Sequence, residues 1–209
     1  MSCNHFTISS GLALLLSAAL ACADDHEEEY RKRIGPGNPW AGWLKSGLCL
    51  NCHGNNNQPQ PNPPKLAGQY ASYILKQLKD YRAGKRTDPA MSRIAVTLAE
   101  EDLDDIAAYF ASRKTMRGSE MLIYRAGEAR YMDTSRGCVT CHGENGKGIG
   151  PGNSAAPVIG GQYKDYLVEE LEDFRDGLRA NDATGIMPFV ASMMSDEEIE
   201  QIAVYLSGQ

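Results

Sequence analysis

The amino-acid sequence predicts an all-α protein made of two tandem helical modules. Two observations lead to this fold class: most of the chain is an internal repeat, and apolar residues inside each repeat recur at helical spacing. The length of 209 residues suits two small domains.

The internal repeat covers most of the chain and contains four matched pairs of segments. The pairs, first copy and then second, are 47–54 with 136–143, 64–86 with 157–179, 91–98 with 187–194, and 103–110 with 199–206. The longest pair aligns at a constant offset and shares Gly68/Gly161, Gln69/Gln162 and Tyr70/Tyr163. The chain is therefore a duplicated module of about 80–90 residues.

Helices are indicated by apolar residues that return about every 3.6 positions. After Tyr70 these residues are Tyr73, Ile74, Leu78 and Tyr81. We expect this helix to end at Gly84 and its counterpart to end at Gly177. The last helix begins at Ser195, where Glu198 completes a capping box, and it buries one apolar face.

The sequence divides into five parts along the chain. These are a signal peptide (1–23), a flexible N-terminal tail (24–36), domain 1 (37–113), a linker (114–119) and domain 2 (120–209). The apolar stretch before Ala21-Cys22-Ala23 is too short to span a bilayer and resembles an export signal. It predicts a periplasmic protein, with lipidation at Cys22 as the alternative.

The charge of the chain excludes one class of partner. The formal net charge is −6, whereas nucleic-acid-binding proteins carry a basic face. We therefore expect no nucleic-acid partner. An acidic protein fits docking on a basic redox protein, and membrane association is possible but not required.

Once the signal is removed, four cysteines remain, and all lie in two C-x-x-C-H motifs. The motifs contain Cys49, Cys52 and His53 in module 1, and Cys138, Cys141 and His142 in module 2. Two thiols one helical turn apart can each bond one vinyl group of a porphyrin, and the next residue can bind its iron. Two disulfides, a redox dithiol or a shared zinc site are less consistent with two complete motifs, so we predict two covalent haem c groups.

The sixth iron ligand decides between electron transfer and ligand binding. Only His26 is left over among the mature histidines, so bis-His ligation at both irons is impossible. Met91 and Met187 are the methionines that superpose in the repeat, and we predict that they are the distal ligands. We expect Met187-Pro188 to hold this ligand in non-helical chain.

Residues around the predicted haems admit two interpretations. We expect the carbonyls of Pro64 and Pro157 to accept the second ring N–H of the proximal histidines. Four tyrosines and four arginines either contact haem propionates or are ordinary core and solvated residues. They are Tyr70, Tyr73, Tyr163, Tyr166, Arg82, Arg86, Arg175 and Arg179.

The order of motifs resembles a known family. C-H-G, a Gly/Pro loop, P-x-[Leu/Ile]-x-G-Q-Tyr, a helix, a Met and a final [Leu/Ile]-x-x-Ile-Ala-x-Tyr helix, all repeated, resemble cytochrome c4, a dihaem class I cytochrome c. The resemblance covers about residues 37–209. It implies two class I cytochrome c domains related by a pseudo-twofold axis. It also implies covalent haem at the four motif cysteines and axial ligation by His53, Met91, His142 and Met187.

Three functions are compatible with these residues. The first is a periplasmic electron carrier, without enzymatic activity, between respiratory donors and a terminal oxidase or other acceptor. The second is an electron-transfer subunit or dedicated acceptor of a periplasmic dehydrogenase, for example in sulfur-compound oxidation. The third is a dihaem enzyme, which needs an iron with an open or unusual ligand, for which the mature chain offers no spare Cys and only His26.

Overall fold

The computed structural model describes residues 24–54, 63–118, 125–150 and 156–209. Within these ranges the regular secondary structure is helical and no strand is present. The predicted all-α fold class is confirmed. The predicted signal peptide, 1–23, lies outside the described residues.

In the described residues, five helices follow one another in the same order in both modules, and module 1 contains α1 and a 3-10 turn in addition. Module 1 has α1 (residues 24–34), α2 (Pro39–Lys45), α3 (Gly47–His53), α4 (Ala71–Arg82), α5 (Met91–Ala95), a 3-10 turn (Glu100–Asp102) and α6 (Leu103–Ser112). Module 2 has α7 (Arg125–Met132), α8 (Cys138–His142), α9 (Lys164–Arg175), α10 (Ile186–Ser192) and α11 (Asp196–Ser207). Helices α4 and α9 end just before Gly84 and Gly177, which adopt positive φ, as the sequence predicts.

The last helix of each module is the centre of its core. Helices α2 and α4 pack on α6, and α7 and α9 pack on α11. The predicted apolar faces are buried, with Ile106 2% and Ile202 2% exposed. In α11 the capping box of Ser195 and Glu198 is formed, which satisfies backbone N–H groups that the helix itself leaves free.

A glycine allows the first and last helices of each module to cross at close range. A Cβ at Gly42 would lie 1.9 Å from the carbonyl oxygen of Asp105, and one at Gly127 would lie 2.0 Å from that of Gln201. Any larger residue would push the helices apart. The crossing of α2 with α6, and of α7 with α11, therefore depends on the missing side chain.

The segment that we expected to be a flexible tail is different in the structure. Residues 24–34 form α1, and Ile34 at its end is buried in the core of module 1. The Arg33 guanidinium donates to the carbonyl oxygens of Ala111 and Gly68. Ion pairs at i,i+4, such as Glu27 with Arg31, support the exposed part of the helix. The charges that suggested a solvated tail are thus the polar surface of a helix.

The two modules face one another through equivalent surfaces. Gln69 of module 1 bonds to the backbone of Val158, and Gln162 of module 2 bonds to the backbone of Lys65. Gln69 and Gln162 occupy equivalent positions of the repeat, and so do Lys65 and Val158. The same contact is therefore made twice across the interface, once in each direction. Such reciprocity defines a twofold relation. Buried Tyr70, Met116 and Val158 form an apolar cluster beside these bonds.

Candidate haem sites

Two short helices carry the cysteines of the attachment motifs. Cys49 and Cys52 lie on α3, and Cys138 and Cys141 lie on α8. Residues three apart share one face of a helix, so each pair can approach a single flat group. Burial raises the pKa of the Cys49 and Cys138 thiols.

The histidine of each motif is bonded to a proline carbonyl, as predicted. His53 Nδ1 lies 2.8 Å from the Pro64 oxygen, and His142 Nδ1 lies 2.9 Å from the Pro157 oxygen. A carbonyl oxygen only accepts, so Nδ1 carries the proton in both rings. Burial lowers the pKa of both imidazoles, more than the carbonyl bond raises it. Each ring is thus neutral, and its Nε2 lone pair is available to a metal.

The predicted distal methionines stand at the start of two short helices. Met91 is the first residue of α5, and Met187 is the second residue of α10. The prediction that Met187-Pro188 is non-helical is wrong, because both residues lie in the first turn of α10. Proline is tolerated there because backbone N–H groups of a first turn have no partner within the helix.

An aspartate fixes the backbone of each of these methionines. The Met91 N–H donates to Asp88 Oδ1 at 2.6 Å, and the Met187 N–H donates to Asp182 Oδ2 at 2.9 Å. Burial opposes the ionised form of Asp182, but several backbone N–H bonds outweigh this effect and lower its pKa. Sequence analysis missed both aspartates. The available signal was an Asp three residues before Met91, since Asp at that distance favours a helix start.

The remaining histidine and methionines differ from the predicted ligands in position. His26 is exposed on α1, Met132 and Met193 are exposed, and Met116 is buried between the modules. Met194 lines the same cavity as the predicted ligands but is part of the buried core of module 2, as expected of a packing residue. Met121 lies outside the described residues.

A single large cavity contains all the predicted site residues. Its volume is about 770 Å³, and its lining includes the four motif cysteines, His53, His142, Met91 and Met187. The rest of the wall is largely apolar, with Ile74 and Leu78 of module 1 and Leu167 and Leu171 of module 2 among its residues. Protein interiors have few voids larger than a water molecule. A space of this size, with thiol, imidazole and thioether donors in each half, fits two haem groups.

The described residues offer no comparable site for a bare metal ion. No group of three or more His, Cys, Asp and Glu side chains is arranged to bind one in this part of the chain. The shared zinc site that the cysteine motifs left open as an alternative has no counterpart there.

A buried polar cluster lies between the two halves of the cavity. Glu170 accepts from both Arg86 and Arg179, which also bond to Tyr166 and Tyr73, respectively. Burial opposes the charged form of Arg86, yet Tyr166 and Glu170 more than compensate and raise its pKa. The interpretation of these two arginines as solvated residues is wrong, since they are 8% and 7% exposed.

The other pair of arginines behaves differently. Arg82 donates to the carbonyl oxygens of Ala95 and Leu98 and pairs with Glu100, while Arg175 pairs with Asp176 and Asp196. Their partners are surface carboxylates and loop carbonyls. These two arginines therefore stabilise helix ends, and they are partly covered rather than fully solvated.

In the described residues no helix has the length and apolar character needed to cross a membrane.

A protein family described as Cytochrome c matches this chain twice, at residues 46–114 and 124–209, with one match for each module.

Known proteins resemble the chain over most of its length. Cytochrome c4 of Pseudomonas aeruginosa is 40% identical over 180 residues, which cover 82% of this chain and 89% of that protein. A thiosulfate dehydrogenase electron acceptor of Stutzerimonas stutzeri is 34% identical, and the alignment covers 100% of this chain and 96% of that protein. The crystal structure of reduced recombinant cytochrome c4 from Pseudomonas stutzeri superposes with a TM-score of 0.72, at 38% identity, over 82% of this chain and 98% of that one.

Proposed function

This chain belongs to the cytochrome c family, as a dihaem electron-transfer protein of the cytochrome c4 type, and we propose that it shuttles electrons in the periplasm without enzymatic activity. Its donors would be respiratory reductases and its acceptor a terminal oxidase or another oxidant. One observation carries the proposal: in each module two cysteines, a histidine and a methionine line the same apolar cavity.

Each bound haem supplies a one-electron iron couple, and the protein residues control that couple. We propose that Cys49, Cys52, Cys138 and Cys141 form the thioether bonds and that His53 and His142 are the proximal ligands. Met91 and Met187 are the proposed distal ligands. Such a Met/His pair would raise the reduction potential, which suits a carrier, and would leave no iron position free for a substrate.

The surrounding residues support this role by limiting rearrangement. The proline carbonyls hold the two imidazoles, and the aspartates hold the backbone of the methionines. The apolar wall excludes water, which disfavours the additional positive charge of the oxidised iron. A carrier benefits because its ligands stay in place in both oxidation states.

The near-infrared absorption of the oxidised protein, quantified per haem, tests the proposed ligands. The weak sulfur-to-iron charge-transfer band should have the intensity expected for two Met-ligated irons. Met187→Leu should remove about half of that intensity, lower the potential of one haem and keep both haems covalently attached. Met193→Leu is the matched control and should change neither. A band that corresponds to one haem or none in the unmodified protein would favour an enzyme with an open iron.

A second candidate is a dedicated electron acceptor of a periplasmic dehydrogenase. The observation that favours it is the full-length similarity to a protein named as the thiosulfate dehydrogenase electron acceptor. The test is to mix the oxidised protein with a thiosulfate dehydrogenase and thiosulfate and to follow haem reduction by stopped-flow absorbance. Rapid reduction, together with stoichiometric co-purification of such an enzyme, would favour the second candidate. Reduction no faster than that of an unrelated cytochrome c would favour the general carrier.

A further inference from the structure

One peptide group stands behind each proximal histidine and has a partner at both ends. The Pro64 oxygen accepts from His53 Nδ1 at 2.8 Å, and the N–H of the same peptide group, on Lys65, donates to Gln162 Oε1 at 2.9 Å. His53 belongs to module 1, whereas Gln162 belongs to module 2. A continuous chain of hydrogen bonds therefore runs from an imidazole of one module to an amide of the other.

The equivalent chain runs in the opposite direction. The Pro157 oxygen accepts from His142 Nδ1 at 2.9 Å, and the N–H of Val158 donates to Gln69 Oε1 at 2.9 Å. Here the imidazole belongs to module 2 and the glutamine to module 1. Each glutamine thus acts on the histidine of the opposite module.

Both glutamines are held rigidly. Gln162 Nε2 donates to the Lys65 oxygen at 3.0 Å, and Gln69 Nε2 donates to the Val158 oxygen at 2.8 Å, so each amide binds its partner residue twice. Gln69 is 5% and Gln162 4% exposed. Water therefore does not compete for these bonds, and their geometry depends on the contact between the modules.

A glycine before each glutamine allows the backbone turn that directs the glutamine side chain across the interface. Gly68 and Gly161 have φ of +75° and +83°, where other residues are strained. A Cβ at Gly68 would lie 2.3 Å from Thr115 Cα, so the chain also passes too close to the connector for any side chain. The G-Q-Tyr block of the repeat is thus a turn that presents the glutamine to the other module.

We propose that Gln69 and Gln162 are positioning residues that set the reduction potential of the haem in the opposite module. Hydrogen bonds in series polarise one another, so a peptide N–H that donates to an amide oxygen makes its own carbonyl a stronger acceptor. A stronger acceptor raises the basicity of the histidine, which stabilises oxidised iron and lowers the potential. Loss of the glutamine raises the potential of the haem across the interface and leaves that of its own module unchanged.

The experiment uses the full-length dihaem protein with Gln162→Met, which keeps the side-chain volume but offers neither donor nor equivalent acceptor. The two potentials are measured in a redox titration followed by NMR, where the methyl signals of Met91 and Met187 report the two haems separately. We expect the potential of the His53 haem to rise and that of the His142 haem to stay constant. The His53 Nδ1–H resonance of the reduced protein should also shift. Gln69→Met should give the mirror-image result.

Gln77→Met is the matched control. Gln77 is also buried at the interface, but among the described residues its side chain bonds only to the side chains of Arg86, Arg179 and Asn181. A general loosening of the interface would move both Nδ1–H resonances in all three variants. That result, or a shift confined to the haem of the substituted module, or no shift at all, would overturn the inference.

The inference rests on the proposed axial ligands, and the same spectra separate the two. If the methyl signals of Met91 and Met187 lack the displacement expected of iron ligands, the proposed ligation fails. If they show it but the potentials do not change in the crossed pattern, only the role of the glutamines fails. Should Gln162→Met not yield a two-haem protein, Gln162→Asn retains an amide that is too short to reach Lys65, and the same crossed pattern is expected.

Discussion

At His53 and His142 a backbone carbonyl decides which ring nitrogen carries the proton. Because Pro64 and Pro157 accept at Nδ1, the unprotonated Nε2 is directed to the haem cavity in both modules. The same atoms fix the orientation of each ring. A single hydrogen bond thereby fixes both the tautomer and the orientation of each imidazole.

The methionine side is prepared by an aspartate, and this leads to a prediction for Asp182. Asp182→Ala removes the acceptor of the Met187 N–H, a charge-assisted bond of about 1.5–3 kcal/mol. The ligand loop should then open more readily. We expect the sulfur-to-iron band of one haem to disappear at a lower temperature during heating of the oxidised protein.

Asp133→Ala is the control for this experiment. Asp133 also accepts a backbone N–H in module 2, from Ser135 at 2.9 Å, and the other partners of its carboxylate are the Ser135 hydroxyl and Arg136. Its removal should leave the melting of the band unchanged. Equal effects of the two substitutions would contradict a specific role for Asp182.

The residue scale also shows what the sequence could predict. The proline carbonyls were predictable because each proline opens an aligned block of the repeat. Comparison of the two copies could not predict the aspartates, because Asp88 precedes its methionine by three residues and Asp182 by five, and only the position of Asp88 before a helix start offered a signal. The two side chains perform the same task, but the loops before the methionines differ in length. An alignment of the two copies therefore does not pair them.

At the scale of the elements, each module depends on the crossing of its first and last helices. Gly42→Ala would place a methyl group against the backbone of Asp105, where a Cβ has only 1.9 Å. We expect this overpacking to lower the free energy of unfolding of the dihaem protein by about 1–3 kcal/mol. Denaturant titration followed by circular dichroism measures the change.

Gly47→Ala provides the comparison for Gly42→Ala. A Cβ at Gly47, in the first turn of α3, meets no atom of the described residues within 4 Å apart from its own helix backbone and chain neighbours. Its effect should stay within about 0.5 kcal/mol. If both substitutions cost the same, the close approach of α2 and α6 is not what requires Gly42.

The capping box of α11 gives a second prediction at this scale. Ser195→Ala removes the hydroxyl that accepts from the Glu198 N–H at 3.3 Å, and loss of such a cap costs about 1 kcal/mol. The free energy of unfolding should fall by that amount. Ser192→Ala, which removes only a bond to the Phe189 carbonyl, should have almost no effect. An unchanged stability of Ser195→Ala would show that water replaces the cap.

Helix periodicity predicted the elements with local apolar signals and failed where tertiary contacts decide. The faces of α4, α6 and α11 follow from the spacing of their own apolar residues. Helix α1 does not, because its exposed part is charged and only Arg33 and Ile34 reach the core. Proline at position 188 suggested extended chain, but the first turn of a helix accepts it equally well.

At the scale of the whole molecule, two small modules share one interior. A module of this size buries little apolar surface by itself, so a covalent haem and a partner module both add to its core. The repeat predicted two modules, but not which faces meet. That depends on polar side chains such as Gln69 and Glu170, whose partners are distant in sequence.

The ion cluster between the modules allows a prediction that involves both haems. Glu170 lines the common cavity and is the carboxylate shared by Arg86 and Arg179. Glu170→Gln leaves two buried guanidinium groups without that partner, which should cost about 3–5 kcal/mol of unfolding free energy. Removing a negative charge also disfavours the oxidised state of each iron. We therefore expect both potentials to rise, in contrast to the one-sided effect expected for the interface glutamines.

Asp165→Asn separates this effect from a general loss of charge on α9. Asp165 is exposed on the same helix and does not line the cavity, so solvent screens its field. This variant should keep both its stability and its potentials close to those of the unmodified protein. If only one potential rises in Glu170→Gln, the Glu170 carboxylate acts mainly on one haem. That result would contradict the equal influence that its contacts with both modules imply. Unchanged stability would mean that water enters the interface and solvates the arginines. The joint outcome, lower stability and two raised potentials, is what a shared carboxylate between two electron-transfer sites requires.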